Sequence, residues 1–233
     1  SGTGTGSYTG SSSTATVTMN GPITQTANWQ TQYYLTVSGV YGSTTGSGWY
    51  DSGATATFNV TSPISGGTGV QLAFSSWSGS GSGSYTGSTQ AASCTMNGPI
   101  TETANWVTQY YLTVSSSYGS TTGSGWYDSG AVAHAGLTSG TVSGGAGTRY
   151  LFVSWSTGGT NYAESSDIIM TGPTTVTASW SVQYYLTVSS PYSTTSGEGW
   201  YNSGATAYAG VATSIVTDGD GVHTLLGWSG GAT

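Results

Sequence analysis

One nine-residue stretch, Trp106-Val107-Thr108-Gln109-Tyr110-Tyr111-Leu112-Thr113-Val114, constrains everything else about this chain. It returns at Trp29–Val37 and Trp180–Val188, with the core Gln-Tyr-Tyr-Leu-Thr-Val identical each time. The leading Tyr is Tyr33, Tyr110 or Tyr184, so the periods are 77 and 74 residues. Repetition at that length means a structural unit that recurs, each copy needing neighbours to bury its apolar face. Other blocks keep the same register. Gly48-Trp49-Tyr50-Asp51-Ser52-Gly53 returns at 125–130 and again, with Asn202 for the Asp, at 199–204. Phe74-x-x-Trp77 returns as Phe152-x-x-Trp155 and Leu225-x-x-Trp228, and Met19, Met96 and Met170 are each followed, after one residue, by Gly-Pro. All nine Trp fall into three columns, 29/106/180, 49/126/200 and 77/155/228. Repetition in register is most simply a packing requirement, so these columns are expected to be core.

Within a unit the apolar residues alternate. Ala15, Val17 and Met19 point one way and Thr16 and Thr18 the other, the period-2 pattern of a half-buried strand. Asn20-Gly21-Pro22 then forms a turn, and Ile23–Trp29 is a second strand close enough to make a hairpin with the first. Tyr33, Leu35 and Val37 share one face of the next strand. Further β-rich runs follow at Ala54–Val60 and Val70–Trp77. No window carries a capped 3.6-residue period, so helix is not expected. The expected fold is all-β: tandem small β-units, β-grasp-like or sandwich-like, in three repeats of 74–82 residues.

Composition limits what such an array can do. Only 4% of residues are charged, against about 25% in an ordinary domain. Arg149 is the sole basic residue beside eight acids, for a net charge of −7. That argues against a nucleic-acid or anionic-membrane partner. So many Gly, Ser and Thr would suit a disordered chain, but nine Trp and 17 Tyr recurring at fixed places carry too much buriable area for that. No apolar run reaches the length of a membrane span. With no initiator Met and no signal peptide, the chain reads as processed or excerpted, and its uncharged surface suits an extracellular or cell-surface location.

The pattern Tyr111-Leu-Thr-Val114, Gly123-Ser-Gly-Trp-Tyr-Asp-Ser-Gly130, Phe152-Val-Ser-Trp-Ser156 and Ile168-Ile-Met170 through Val176-Thr-Ala-Ser-Trp180 resembles the divergent internalin B-repeat family of bacterial and archaeal surface proteins. Four blocks match in order over nearly the whole chain. Trp stands where that family usually ends on Phe. The resemblance implies small β-grasp-like units used as stalks and spacers, and no enzymatic activity.

The expected organisation is an N-terminal β-hairpin half-repeat (1–32), whole repeats at 33–109 and 110–183, and a C-terminal half-repeat (184–233). The last segment stops after the Trp228 block without a Met-x-Gly-Pro strand pair; residues 1–32 are that pair with nothing before it. A half-unit cannot bury its apolar face alone, and an open sheet edge templates strand pairing. Three arrangements satisfy both halves: closure into a ring, insertion of one copy's hairpin into the next copy, or a window of a longer tandem chain. The second gives an open head-to-tail fibre. Val17, Met19, Ala27 and Trp29 are then the donor residues, and Leu186, Val188, Trp200 and Trp228 the acceptor. The expected function is therefore structural, a filament subunit whose partners are neighbouring copies of itself. The competing reading is a carbohydrate-binding adhesin, or a stalk segment of a longer repeat protein.

No constellation supports chemistry. Cys94 aligns with Val17 and Ile168 and reads as a small core residue. His134 and His223 lack spaced partner ligands. Asp218-Gly-Asp220-Gly lacks the rest of a calcium loop, and Gly144-Gly-Ala-Gly147 lacks the Lys of a phosphate loop. Asp51 and Asp128 recur as turn residues, with Asn202 at the same place, which is unlike the paired acids of a glycosidase. No catalytic residue, metal or cofactor is expected. Asn59-Val60-Thr61 is the single sequon and makes Asn59 a candidate for N-glycosylation.

Overall fold

The computed structural model describes residues 1–231, so the last two residues of the 184–233 segment lie outside the described residues. The fold is all-β, with no helix among the described residues and hence none long and apolar enough to cross a membrane. The chain divides into two compact units. Ser1–Ser65 with Leu72–Val107 form one, and Gly66–Gln71 with the chain from Thr108 onward form the other. The Ile100–Ser115 strand runs without a turn through the expected cut after residue 109.

In the first unit, Gln32–Gly39 lies between two partners. Gly48–Asp51 pairs antiparallel on one side, with Tyr34 opposite Trp49. Ile100–Ala104 pairs parallel on the other, with Ile100 opposite Leu35 and Ala104 opposite Gly39. A separate sheet has Thr55–Val60 between Thr44–Thr45 and Ala92–Thr95, all antiparallel. Thr55–Val60 alternates strictly, Ala56, Phe58 and Val60 inward and Thr55, Thr57 and Asn59 outward, as a sheet with one wet face requires. These residues close a core with Leu35, Val37, Trp77, Cys94, Met96, Ile100 and Ala104.

The second unit repeats the plan. Gln109–Leu112 pairs antiparallel with Gly125–Asp128, and Leu112–Ser115 pairs parallel with Thr174–Thr177. Val132–Ala133 pairs with Ile168–Ile169, and the Thr141–Gly145 and Thr148–Trp155 hairpin pairs onward with Thr174–Leu186. Its core is Leu112, Val114, Ala133, Ala135, Leu137, Trp155, Ile168, Met170, Val176 and Ala178. Column for column these follow the first core, except that Ala135 replaces Phe58, Leu137 replaces Val60 and Ile168 replaces Cys94, while Thr174 stands at the place of Ile100 and Val176 at that of Glu102.

Farther along the same unit the pattern starts again. Gln183–Leu186 pairs with Gly199–Asn202, Thr195–Ser196 with Gly210–Val211, and Ile215–Asp218 with Gly221–Thr224. Residues 205–209 occupy the place of Ala54–Phe58 but form no strand, because no counterpart of Ala92–Thr95 pairs with them. The N-terminal segment shows the complementary gap. The expected strand at Ala15–Met19 is absent, and the expected hairpin with Ile23–Trp29 does not form. Gly2–Thr3 pairs instead with Thr24–Gln25. The reason lies in the closed unit, where Ala92–Thr95 and Ile100–Ala104 are partners of two different strands, Thr55–Val60 and Gln32–Gly39, rather than of each other. Without those two strands, 15–19 and 23–29 have no ladder to join.

The three equivalent methionines therefore differ in burial. Met96 and Met170 are fully buried, whereas Met19 is 69% exposed. Truncating Met96 or Met170 to Ala is expected to cost about 2–5 kcal/mol, while Met19→Ala in the unassembled chain shifts stability by less than about 0.5 kcal/mol. Urea denaturation of the three variants at low protein concentration checks this.

Candidate assembly site

Of the residues expected to act in assembly, Met19, Ala27 and Trp29 in one compact unit and Leu186 and Trp228 in the other are left incompletely covered, whereas Val188 is buried and Trp200 lies on the other side of its strand. In the N-terminal segment Val17 is half-buried, Ala27 exposed, Met19 largely exposed and Trp29 93% exposed. Their counterparts Cys94, Met96 and Ala104, and Ile168, Met170 and Ala178, are all buried. The bare face is nevertheless preformed, because the segment's own backbone bonds hold it in the geometry of the closing segment 78–106. Ser7 N–H donates to the Gly4 carbonyl at 3.1 Å, as Ser84 donates to Gly81 at 3.2 Å; Asn20 donates to Thr18 at 2.9 Å, as Asn97 donates to Thr95 at 2.9 Å.

A third correspondence involves a polar side chain at a closing position. Glu102 is fully buried, and its Oε1 accepts from Tyr85 N–H at 2.7 Å. Gln25 holds the same place in the N-terminal segment; oriented to satisfy both amide atoms, it accepts from Tyr8 N–H at 2.8 Å and donates to the Tyr8 carbonyl at 3.1 Å. Glycine stands beside each: a Cβ on Gly79 would run into the Tyr85 carbonyl and lie 2.8 Å from Glu102 Oε2, and the equivalent Gly2 lies against the Gln25 amide. In the second unit the place is taken by Val176, also fully buried.

On the acceptor side Leu186 is half-buried, where Leu35 and Leu112 are fully buried. Trp228 is 52% exposed, where Trp77 and Trp155 are buried. Ala209, at the place of Phe58 and Ala135, is also exposed. Val188 is already buried by its own unit. Trp200 is turned away from this face. It lies opposite Tyr185 across the ladder, so it shares Tyr185's side, while Leu186 and Val188 point the other way. There it meets the Tyr185 ring at 5.1 Å, and the Arg149 guanidinium sits 4.4 Å from its centroid.

That placement corrects the expectation that every Trp column is core. Trp49 is 66% and Trp126 40% exposed, each edge-on to a neighbouring Tyr, Tyr34 and Tyr111. In the Gly-Trp-Tyr-Asp block the Tyr is the inward residue. Tyr50 and Tyr127 pack against the two cores and donate their hydroxyls to the Gly46 and Gly123 carbonyls at 2.8 Å. Alternation fixes that Trp and Tyr face oppositely but not which faces in; the cross-strand partner decides it. Of the Trp columns, the one in Phe-x-x-Trp is fully buried where the unit is closed.

The remaining candidates sit in structural settings. Cys94 is buried with its thiol 3.9 Å from the Met96 sulfur, and burial followed by the nearby Glu102 carboxyl pushes its pKa up. Asp51, Asp128 and Asn202 accept from the amides of Gln32, Gln109 and Gln183, each at 2.8 Å, which accounts for their recurrence. His134 lies 3.7 Å from Glu164 and 3.8 Å from Asp167 on an exposed loop, and His223 lies 3.3 Å from Asp218. The Asp220 backbone N–H, with help from His223, holds Asp218 below its ordinary pKa. Gly144–Gly147 is the tip of a hairpin. Asn59 is exposed, with its Oδ1 accepting from Val60 N–H at 2.7 Å. Among the described residues no group of three or more His, Cys, Asp and Glu is placed to hold a metal ion. No family model, no curated protein and no solved structure matches this chain.

Glu102 generates a pH prediction. Its Oε2 is buried without a partner, and burial raises its pKa, offset in part by the Tyr85 N–H. A protonated Oε2 would be the counterpart of Gln25 Nε2, which donates to a backbone carbonyl. With the folded pKa above the ordinary 4.5, the folded chain holds the proton more tightly than the unfolded one. The stability from this group is full below about pH 4.5 and is lost as pH rises through the folded pKa. Glu102→Gln is expected to remove that slope and to add about 1–3 kcal/mol at pH 7, the usual cost of an unsatisfied buried acceptor. Thermal melts of both chains from pH 4 to pH 8 measure it.

Proposed function

We propose that this chain is a structural subunit of an extracellular filament. It assembles head to tail when the N-terminal segment of one copy completes the open unit at residues 184–231 of the next. The observation that carries this reading is the preformed, uncovered state of residues 1–29, with Met19 and Trp29 bare on a segment folded like 78–106. A largely apolar face held ready by its own hydrogen bonds loses little conformational freedom on docking. The acceptor needs what it offers, a strand to lie parallel to Leu186–Ser190, as Ile100–Ala104 lies parallel to Leu35–Gly39, and another to order residues 205–209. Two different ends in contact, repeated without closure, build a fibre. In a longer array of such repeats the same two faces would meet within one chain.

The near absence of charge, the repeat architecture and the resemblance to divergent internalin B-repeats support a surface stalk or spacer rather than an enzyme. Neighbouring copies are the partners, and the role involves no cofactor. Asn59, exposed on an outward strand position, is a site where a glycan could be carried. A second reading has its own support. The rings of Trp49 and Trp126 are exposed on the side away from each core, a residue type on which sugar rings stack, so a carbohydrate-binding adhesin remains the alternative.

Purified full-length protein is expected to form fibres, visible by negative-stain microscopy. An excess of a synthetic peptide of residues 1–32 should cap growth and leave short particles. Dispersed monomers at every concentration, together with a specific glycan-array signal lost in Trp49→Ala, would favour the adhesin.

A further inference from the structure

A cavity of about 470 Å³ opens beside the Ile215–Asp218 and Gly221–Thr224 hairpin, walled by Ser190, Tyr192, Val211, Val216, His223 and Leu225 among others. We infer that it is a socket for the indole of Trp29 from a second copy, an inference that rests on the strand-complementation reading above. Within the second unit the corresponding space is occupied by Trp180. Its Nε1 donates to Ser116 Oγ at 2.9 Å, and its ring meets Tyr118 edge-on at 5.8 Å and Phe152 edge-on at 6.0 Å. Ser190, Tyr192 and Leu225 stand at the places of Ser116, Tyr118 and Phe152. The hairpin registers agree, with Val142 opposite Tyr150 in one and Val216 opposite His223 in the other. Even the wall packing is copied. Tyr118 stacks on Tyr150 at 3.6 Å, and Tyr192 stacks on His223 at 3.8 Å.

The walls are thus built, and the indole is what they lack. Trp29 ends its closing segment as Trp106 and Trp180 end theirs, and it is 93% exposed. The rest of the register follows from the two closed units. Ile23 comes opposite Leu186, Gln25 opposite Val188 and Ala27 opposite Ser190, in parallel, as Ile100 to Ala104 lie opposite Leu35 to Gly39. Beyond the indole the pairing turns antiparallel, with Gln30 opposite Thr224 as Ser181 is opposite Leu151. Shape rather than the hydrogen bond carries the fit. In the first unit Gly39 replaces the serine, leaving Trp106 Nε1 without an acceptor, yet the Tyr41–Trp106 edge contact persists at 6.0 Å.

The test uses full-length chains carrying Gln30→Cys or Thr224→Cys, mixed in equal parts under mild oxidation. Directly opposed strand residues lie within disulfide reach, so the mixed 30–224 dimer is expected to form well ahead of either like-with-like dimer. Adding Trp29→Ala to the Gln30→Cys chain should slow that crosslink about tenfold or more, as loss of a central aromatic anchor does, and Trp29→Phe should restore most of it. Because Trp29 is exposed in the separate chain, its truncation should leave the circular dichroism spectrum unchanged. A crosslink as fast with Ala as with Trp would overturn the socket while leaving strand complementation standing. Absence of the mixed dimer would overturn both. A double-cysteine chain that closes on itself at high dilution, to the exclusion of mixed dimers, would also overturn both, because the occupant would be the chain's own Trp29.

Discussion

Everything in this fold depends on one strand doing two jobs. Ile100–Ser115 is 16 residues long. Its first part, Ile100–Ala104, lies parallel to Leu35–Gly39 and closes one core. Its last part, through Leu112 and Val114, opens the next and waits for Thr174–Thr177 to close it. Thr174–Leu186 works the same way, closing through Val176 and Ala178 and opening again through Leu186. Parallel closure is the source of the constraint. An antiparallel partner can arrive after a short turn, but a parallel one needs a long connection, here the whole of the intervening repeat. A linear array built on this rule has an opening strand without its closer at one end and a closer without its opening strand at the other.

The energetics of those ends follow from burial. In a closed unit the Met and the closing Ala are buried and the Trp at the end of the closing segment is half-buried, and fully burying a side chain of the larger kind contributes about 1.5–3 kcal/mol. In the N-terminal segment the same residues are exposed although the local backbone is already in place. Hydrogen bonds between Gly4 and Ser7, and between Gln25 and Tyr8, hold the segment in shape without a core beneath it. Glu102 shows how the closing position can be tuned: valine, glutamine and glutamate occupy it in three copies, and the acid alone makes closure depend on pH.

Much of the architecture was legible in the sequence. The β-rich runs with no helical period gave the all-β fold, the shared face of Tyr33, Leu35 and Val37 gave the inward residues of that strand, and alignment of Cys94 with Ile168 gave its burial. Three things were not legible. Adjacency of Ala15–Met19 and Ile23–Trp29 suggested a hairpin, because a turn between two strands reads the same whether they pair with each other or with distant strands. The Trp49 column was expected to be core, because two neighbouring aromatics on one strand give no parity of their own. The residues of the indole cavity, Ser190, Tyr192 and Leu225, are unremarkable singly; the only sequence signal for them is their register with Ser116, Tyr118 and Phe152, whose role appears once Trp180 is seen among them.

The claim that a preformed closing segment waits for an opening strand in another copy is tested most directly by hydrogen exchange read as a function of protein concentration. The account predicts that amides of Ala27–Trp29 and of Thr187–Ser190, together with residues 205–209, exchange fast in dilute protein. All should become protected at once as concentration rises, while those around Met96 and Met170 stay protected throughout. Protection of the two end segments that is already complete in dilute protein, or that never develops at high concentration, would contradict it.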